Sequence, residues 1–440
     1  LDQAPGQKGR PVNLTLPGSE MMGLRLVVGA DTLRLDDWIF ETSATEMSTD
    51  VPMTVELTST RGDVTVNLAY TFRPDDYKIG VVGSVSGVGP NGGLLLVGMG
   101  PGLANTEANL VENERSMGFV TKSQSTKFKS FQSLDTAEVA AVSGPFEWVA
   151  VKSKYFVTAV LAFETGAAPV GGLSVRPMPQ AGQKKAHQAS IWASLLLPAA
   201  GDFRYELYAG PMEYSRLAKV GHDFDDVNPY GWPGFRTIIR PVAVAVRWML
   251  VWMHENLHLA YGMVLVVFGI LVRVVLWPLN QKAMRSTMAM QAIQPELKAI
   301  QDKHKEDPAR LQQEMFKLYK EHGVNPLGGC WPMLLPMPVL LALFFVFQNT
   351  IELRGQSFLW LPDLSQHDPL YIIPLIMGLS MFGLTKMGQR GIPPNPQMKM
   401  MMYVMPVMMT VLFLNFASGL NLYYAVSNIA SIPQQWLVAK

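Results

Sequence analysis

The sequence predicts an N-terminal all-β domain followed by an α-helical membrane bundle of five transmembrane helices with a cytoplasmic helical hairpin. Three observations predict it: short alternating apolar segments before residue 228, span-length apolar blocks after residue 259, and a charged, helix-periodic stretch between the first two blocks. The overall hydrophobic fraction of 49% averages over two unlike halves. A net charge of +1 argues against nucleic-acid binding, and the single cysteine, Cys330, excludes an intrachain disulfide. Around Leu1 the residues Lys8 and Arg10 stand among Gln, Gly and Pro without an apolar signal region. A signal or anchor is therefore expected upstream.

Residues 1–228 carry the β pattern. Segments 64–72, 155–163, 186–197 and 203–210 read as strands separated by Gly, Pro, Asn and Asp, and together as a sandwich. The Gly-rich stretch 81–102 reads as a loop, because no helix with a suitable start follows to make it a phosphate cradle. The two histidines of this half, His187 and His222, lie far apart, and the adjacent Asp225 and Asp226 fall in a Pro/Gly-rich linker over 223–234. No catalytic set emerges. The domain is expected to mediate contacts or support the membrane part.

Residues 229–258 read as a linker and an interfacial amphipathic helix. Over 235–257, Arg236, Arg240 and Arg247 recur at helical spacing between apolar residues, with Trp248 and Trp252. The apolar stretch between charges is too short to span. A place flat among lipid headgroups suits both Arg and Trp, the alternative being a helix packed on the β domain.

Residues 259–440 read as five spans: 259–279, 330–347, 369–385, 400–417 and 419–438. Loop 280–329 has the largest number of Lys and Arg, and the loop between the third and fourth spans adds Lys386, Arg390 and Lys399 without an acid. The loop after the second span holds Glu352, Asp363 and Asp368 against Arg354. The basic loops are therefore assigned to the cytoplasm, the β domain to the outside and Lys440 to the inside. Within 280–329 the pattern predicts a helix over about 281–305. A second is opened by Asp307 as N-cap with Pro308 and closed by Gly323, the two forming an antiparallel hairpin through Leu297 and Ile300 against Leu311, Met315 and Leu318. Its charged outer surface reads equally as a docking surface or a solvated face.

Arg273 lies inside the first span, where an uncompensated Arg costs about 2.5–3.5 kcal/mol on insertion scales. One reading is snorkelling, since only about two helical turns separate it from polar sequence. The other is a polar cavity within the membrane with Arg273 at its centre. The spans also carry Gln348, Asn349, Asn415, Asn421, Ser427, Asn428, Ser431, Gln434 and Gln435, but no Asp or Glu. That absence disfavours an ion-coupled transporter and leaves Arg273 open to a visiting anion. Met400, Met401, Met402, Met405, Met408 and Met409 crowd the fourth span, either as lipid-facing filler or as an adaptable apolar surface.

These residues resemble the bacterial YidC/Oxa/Alb family of membrane-protein insertases, in its Gram-negative form with a large periplasmic domain. The resemblance rests on Arg273, on Asn325-Pro326-Leu327-Gly328-Gly329-Cys330, on Glu352-Leu353-Arg354, and on Ser418-Gly419-Leu420 followed by Leu422-Tyr423-Tyr424 and Ser427-Asn428. In the N-terminal half it is looser, through Trp148-Val149-Ala150 and Tyr155-Phe156. It implies a β-supersandwich for 1–228 and, for 259–440, an insertase and chaperone core with a hydrophilic groove of Arg273, Asn415, Tyr423, Tyr424 and Asn428. Hydrophobic segments received there would pass laterally into the bilayer without ATP hydrolysis.

The implied partners are nascent membrane proteins, the Sec translocon, the ribosome and targeting machinery, and membrane lipids; no cofactor, metal or catalytic residue is implied, and the place is the bacterial inner membrane. Gly269 stands where the family often has a small hydroxyl residue, Ala417 replaces a common Pro, and the short tail gives no basis for a ribosome contact. The resemblance implies that the family's first anchor helix would precede Leu1. The alternatives are a small-solute transporter or channel, which would call for a coupling carboxylate, and an envelope enzyme, which would call for a catalytic set.

Overall fold

The computed structural model describes all residues except 1, 5–6, 20, 45–49, 136–137, 164–166, 180–184, 232–233, 279, 282–288, 290–291, 306, 324–336, 389–395 and 440. The motif 325–330 with Cys330, and the basic residues Lys282, Arg285 and Arg390, lie outside the described residues. The chain divides into two compact units, Leu1–Asn228 and Pro229–Lys440.

The first unit consists of two antiparallel sheets. Its strands run β1 (Met21–Val28), β2 (Asp31–Arg34), β3 (Glu41–Thr42), β4 (Met53–Arg61), β5 (Val64–Phe72), β6 (Lys78–Ser86), β7 (Gly93–Met99) and β8 (Gly118–Lys122). They continue as β9 (Thr126–Ser130), β10 (Ala140–Phe146), β11 (Trp148–Lys152), β12 (Phe156–Leu161), β13 (Val170–Pro179), β14 (Ala186–Leu197) and β15 (Asp202–Pro211). One sheet has the order β10-β13-β14-β7-β1-β2, the other β3-β4-β5-β6-β15-β12-β11-β8-β9. Alternation sets the faces: in β14, Ala189, Ile191, Ala193 and Leu195 are buried while the residues between them are partly exposed. The interior strands β11 and β12 are buried along their whole length, as their unbroken apolar runs require.

Two expectations for this unit are corrected. Residues 81–102 are not a loop, because β6 and β7 occupy most of them as interior strands. Their glycines answer to crowding: a Cβ at Gly83 would lie 2.3 Å from Phe203 Cζ, and one at Gly93 2.4 Å from the Val27 carbonyl oxygen. The stretch 223–234 is not wholly linker either. Residues Phe224–Val227 form a 3₁₀ turn whose Phe224 meets Trp148 edge-on at 5.1 Å and Tyr208 at 5.3 Å, with Phe224 and Val227 fully buried. Trp148 Nε1 donates to the His222 carbonyl at 3.0 Å.

Three buried lysines line this region. Lys122 pairs with Asp223 at 2.8 Å and Lys154 with Glu112 at 2.9 Å, whereas Lys152, 6% exposed, donates to the neutral Asn228 Oδ1 at 2.7 Å. Burial pushes the Lys152 ammonium down to about 7 from 10.5. Between those values the unfolded chain binds a proton that the folded one does not, so stability rises with pH across the window and is lost as pH falls towards 7. Thermal unfolding of the full chain in detergent, followed in the strand region of the circular dichroism spectrum, is expected to show this rise from pH 7 to 9. Lys152→Met should flatten the profile and stabilise the domain near pH 7 by an amount on the order of a few kcal/mol. An unchanged profile would show that Lys152 keeps its proton when folded.

The second unit is helical. Its helices are numbered after two short ones in the first unit, α1 (Leu110–Ser116) and α2 (Tyr214–Val220). They are α3 (Arg236–Leu257), α4 (Tyr261–Val275), α5 (Gln294–Lys303), α6 (Pro308–Glu321), α7 (Met337–Asn349), α8 (Ile372–Gly388), α9 (Pro396–Phe413) and α10 (Ser418–Ala439). The helices α4, α7, α8, α9 and α10 overlap the five blocks read as spans, α4 lying inside its block and the others running one to four residues past theirs. Among the described residues, no helix is long and apolar enough to cross a membrane. The described helix is short in α4 and α7, with 15 and 13 residues, and α10 is diluted by its Asn, Ser and Gln.

The two hairpin helices are present as α5 and α6, α5 covering 294–303 of the expected 281–305, while 282–288 and 290–291 lie outside the described residues. Asp307 Oδ1 accepts from the Arg310 amide at 3.1 Å with Pro308 next to it, and Gly323 has φ +62°. Leu318 is buried, and Leu297, Ile300, Leu311 and Met315 are half-buried. α3 buries Ile239, Ala243, Val246, Arg247, Leu250 and Met253 against α7 and α4, leaving Trp248 and Trp252 exposed. Arg247, expected among headgroups with Arg236 and Arg240, instead pairs in the interior with Glu352, just beyond α7. Sequence periodicity placed it on the wrong face because its counter-charge is distant in the chain.

Candidate functional site

The site is the seam between α4 and α10, and the packing of small and aromatic residues explains why it forms. Phe268 on α4 meets Tyr423 on α10 with ring centroids 5.8 Å apart. One position on, Gly269 lets the helices close up: a Cβ there would lie 3.2 Å from Val426 Cγ1 and 3.6 Å from Tyr423 Cδ2. The missing hydroxyl at 269 thus coincides with a tight helix contact.

One turn further along α4, the half-buried Arg273 donates from Nε to Ser427 Oγ at 2.7 Å. Below it, Gln434 Nε2 donates to the Trp277 carbonyl at 3.0 Å, and Ser431 Oγ to the Ser427 carbonyl at 2.7 Å. Tyr423, Ser427 and Ser431 are spaced by four, so they fall in one stripe on α10 facing α4. Among the described residues no carboxylate lies within ion-pairing distance of Arg273. A cation whose partner is a neutral hydroxyl keeps its full charge for an approaching anion.

The other expected site residues distribute unevenly. Tyr423 is buried at the seam, and Tyr424 beside it turns towards Phe413 on α9, edge-on at 5.3 Å. Asn428, one turn on from Tyr424 on the same face of α10, donates from Nδ2 to Ser380 Oγ on α8 at 3.3 Å. Asn415 lies beyond the end of α9, exposed in the turn that leads to α10, twelve positions before Ser427. The structure thus brings Tyr423 and Arg273 together, sets Tyr424 and Asn428 together on the adjoining face of α10, and leaves Asn415 outside the seam. Ser427 and Gln434 are the members that selection of site residues from the sequence missed. The i, i+4 polar stripe on an otherwise apolar helix was the available signal.

The turn between α9 and α10 is itself held. The loop after α7 reaches over it: the amides of Ser418 and Gly419 donate to the carbonyls of Gln366 and Leu364 at 2.6 and 2.9 Å, and Ser418 Oγ donates to the Asp363 carbonyl at 3.2 Å. Asp368, fully buried, accepts from Trp360 Nε1, from the Leu370 amide and from the Ile373 amide at the start of α8.

Comparison with known proteins agrees with this architecture. Residues 3–244 match the family model described as the YidC periplasmic domain, and residues 252–440 the one described as the 60Kd inner membrane protein. The chain belongs to the YidC family. The family's two models, in this order, describe a bacterial inner-membrane protein with a periplasmic domain. The chain is 34% identical to the membrane protein insertase YidC of Chlorobium phaeovibrioides, across 84% of its own length and 66% of that protein's. It is 31% identical to the membrane protein insertase YidC of Chlorobaculum parvum, across 97% of its own length and 76% of that protein's. It therefore spans about two thirds of the length of such YidC relatives. A crystal structure titled as an active YidC insertase with its first transmembrane domain resolved is 20% identical, covering 97% of this chain and 85% of that one, with a TM-score of 0.39. At that score the family assignment rests on sequence.

Proposed function

We propose that the chain is a membrane-protein insertase and chaperone that takes hydrophobic segments of nascent membrane proteins past Arg273 and releases them laterally into lipid. The observation that carries this reading is the half-buried Arg273, whose side-chain partner among the described residues is the neutral Ser427. An acidic residue near a client's end would meet that charge part-way into the membrane, shortening the low-dielectric path it must cross. Apolar side chains exposed on α4 and α9, including Ile270, Val274, Val404, Val407 and Val411, offer a greasy flank. Partition of apolar surface, about 25 cal/mol per Å², supplies the drive, so ATP is not required and no cofactor, metal or catalytic residue is assigned. On this reading α4, α7, α8, α9 and α10 are the cores of five spans, with α5 and α6 in the cytoplasm and the β domain in the periplasm. The exposed Trp248 and Trp252 on α3 suit the lipid interface. The ribosome and targeting machinery, the Sec translocon and membrane lipids are the partners this placement supports.

The test is reconstitution of the protein in liposomes with a single-span client carrying a short acidic tail. Insertion scored by protease protection should rise well above that in protein-free liposomes. Release of an entrapped solute without client insertion would instead support a channel or transporter.

A further inference from the structure

We infer that Ser427 is a positioning residue: it holds Arg273 by Nε and so presents the paired Nη groups as a two-pronged receptor for a carboxylate. The inference rests on the insertase reading and names the residue that orients the charge of its site.

A guanidinium has five N–H donors, one on Nε and four on the two Nη atoms. Among the described residues, the side chain of Arg273 makes its hydrogen bond through Nε, to Ser427 Oγ at 2.7 Å. Occupying Nε fixes the plane of the guanidinium against α10 while leaving its Nη edge uncommitted. That edge is one of the faces of arginine that matches the two oxygens of a carboxylate.

The hold is itself well supported. Ser427 is 3% exposed, and its carbonyl is tied to Ser431 Oγ at 2.7 Å. The approach of α4 to α10 is set on one side of Arg273 by Gly269 against Val426, and on the other by Gln434 Nε2 on the Trp277 carbonyl. A long side chain between two such contacts would otherwise sample many rotamers, and each would have to be given up when a client's acid arrives. One hydroxyl removes that cost in advance. The acid already assigned to the client thus meets an arginine whose plane is set before it arrives.

The experiment compares insertion of two clients that differ only in an Asp or an Asn in the short tail, using the full-length protein in liposomes. The quantity read is the acidic-to-neutral ratio of protease-protected product. Ser427→Ala should lower that ratio by about three- to tenfold, the range for loss of one ordinary hydrogen bond. Ser427→Thr should restore it. Ser427→Val, the same shape as Thr without the hydroxyl, should not, and it replaces the Ala variant if that one fails to fold. A ratio unchanged in Ser427→Val, or a fall in both clients alike, would overturn the positioning role. The control is Arg273→Ala: if it leaves the ratio intact, the charged-site reading fails with the inference, whereas if it alone lowers the ratio only the inference fails.

Discussion

Arg273→Ala, reconstituted in liposomes, is expected to lose insertion of a single-span client with a short acidic tail by roughly tenfold to a hundredfold, the scale of a hydrogen-bonded charged group. The size follows from the surroundings. Arg273 sits half-buried between α4 and α10 with a hydroxyl for company, so the variant keeps the fold of the seam and removes its charge. Loss of charge should leave Phe268 on Tyr423 and Gln434 on the Trp277 carbonyl. The variant should therefore elute and melt like the parent while failing to insert. Equal insertion by both would mean that the residue snorkels to an interface and serves anchoring alone.

The second large effect is expected at the ion pair between α3 and the segment after α7. The side chains of Arg247 and Glu352 are 8% and 17% exposed. Removing one partner of so buried a pair leaves its counterpart desolvated, at a cost of about 3–5 kcal/mol, whereas replacing both with apolar residues of similar volume is often neutral. Arg247→Met alone, which strands the Glu352 carboxylate, should thus lower the thermal midpoint of the helical unit markedly. The double change Arg247→Met with Glu352→Leu should recover most of it. Equal midpoints for the single variant and the parent would assign the pair no stabilising role.

How much of this was legible in the sequence differs by element. Strands with clean alternation, such as β5 and β14, were read at their observed bounds, because one face meets the core and the other does not. The capped helix α6 was equally plain from Asp307, Pro308 and Gly323. The Gly-rich strands β6 and β7 were not, since what makes glycine necessary there is Phe203 or the Val27 carbonyl on a neighbouring strand. Arg247 failed for the same reason, its partner lying 105 positions away. At the site, the sequence singled out Arg273 by its cost in an apolar run, but choosing Ser427 over Asn415 required knowing where α9 ends. Polar residues near a span's end look alike until the helix register is known.

The loop-to-turn hydrogen bonds at Ser418 and Gly419 make α10 a lever with one pinned end. At about 1.5 Å per residue, Ser427 lies roughly 13 Å from that pivot and Gln434 roughly 24 Å. A rigid tilt of about 10° therefore moves the Arg273 partner by ~2 Å and the Gln434 end by ~4 Å, with hardly any displacement at Ser418. With the turn pinned, any opening of the seam would be a wedge, widest at the end that Gln434 holds to the Trp277 carbonyl.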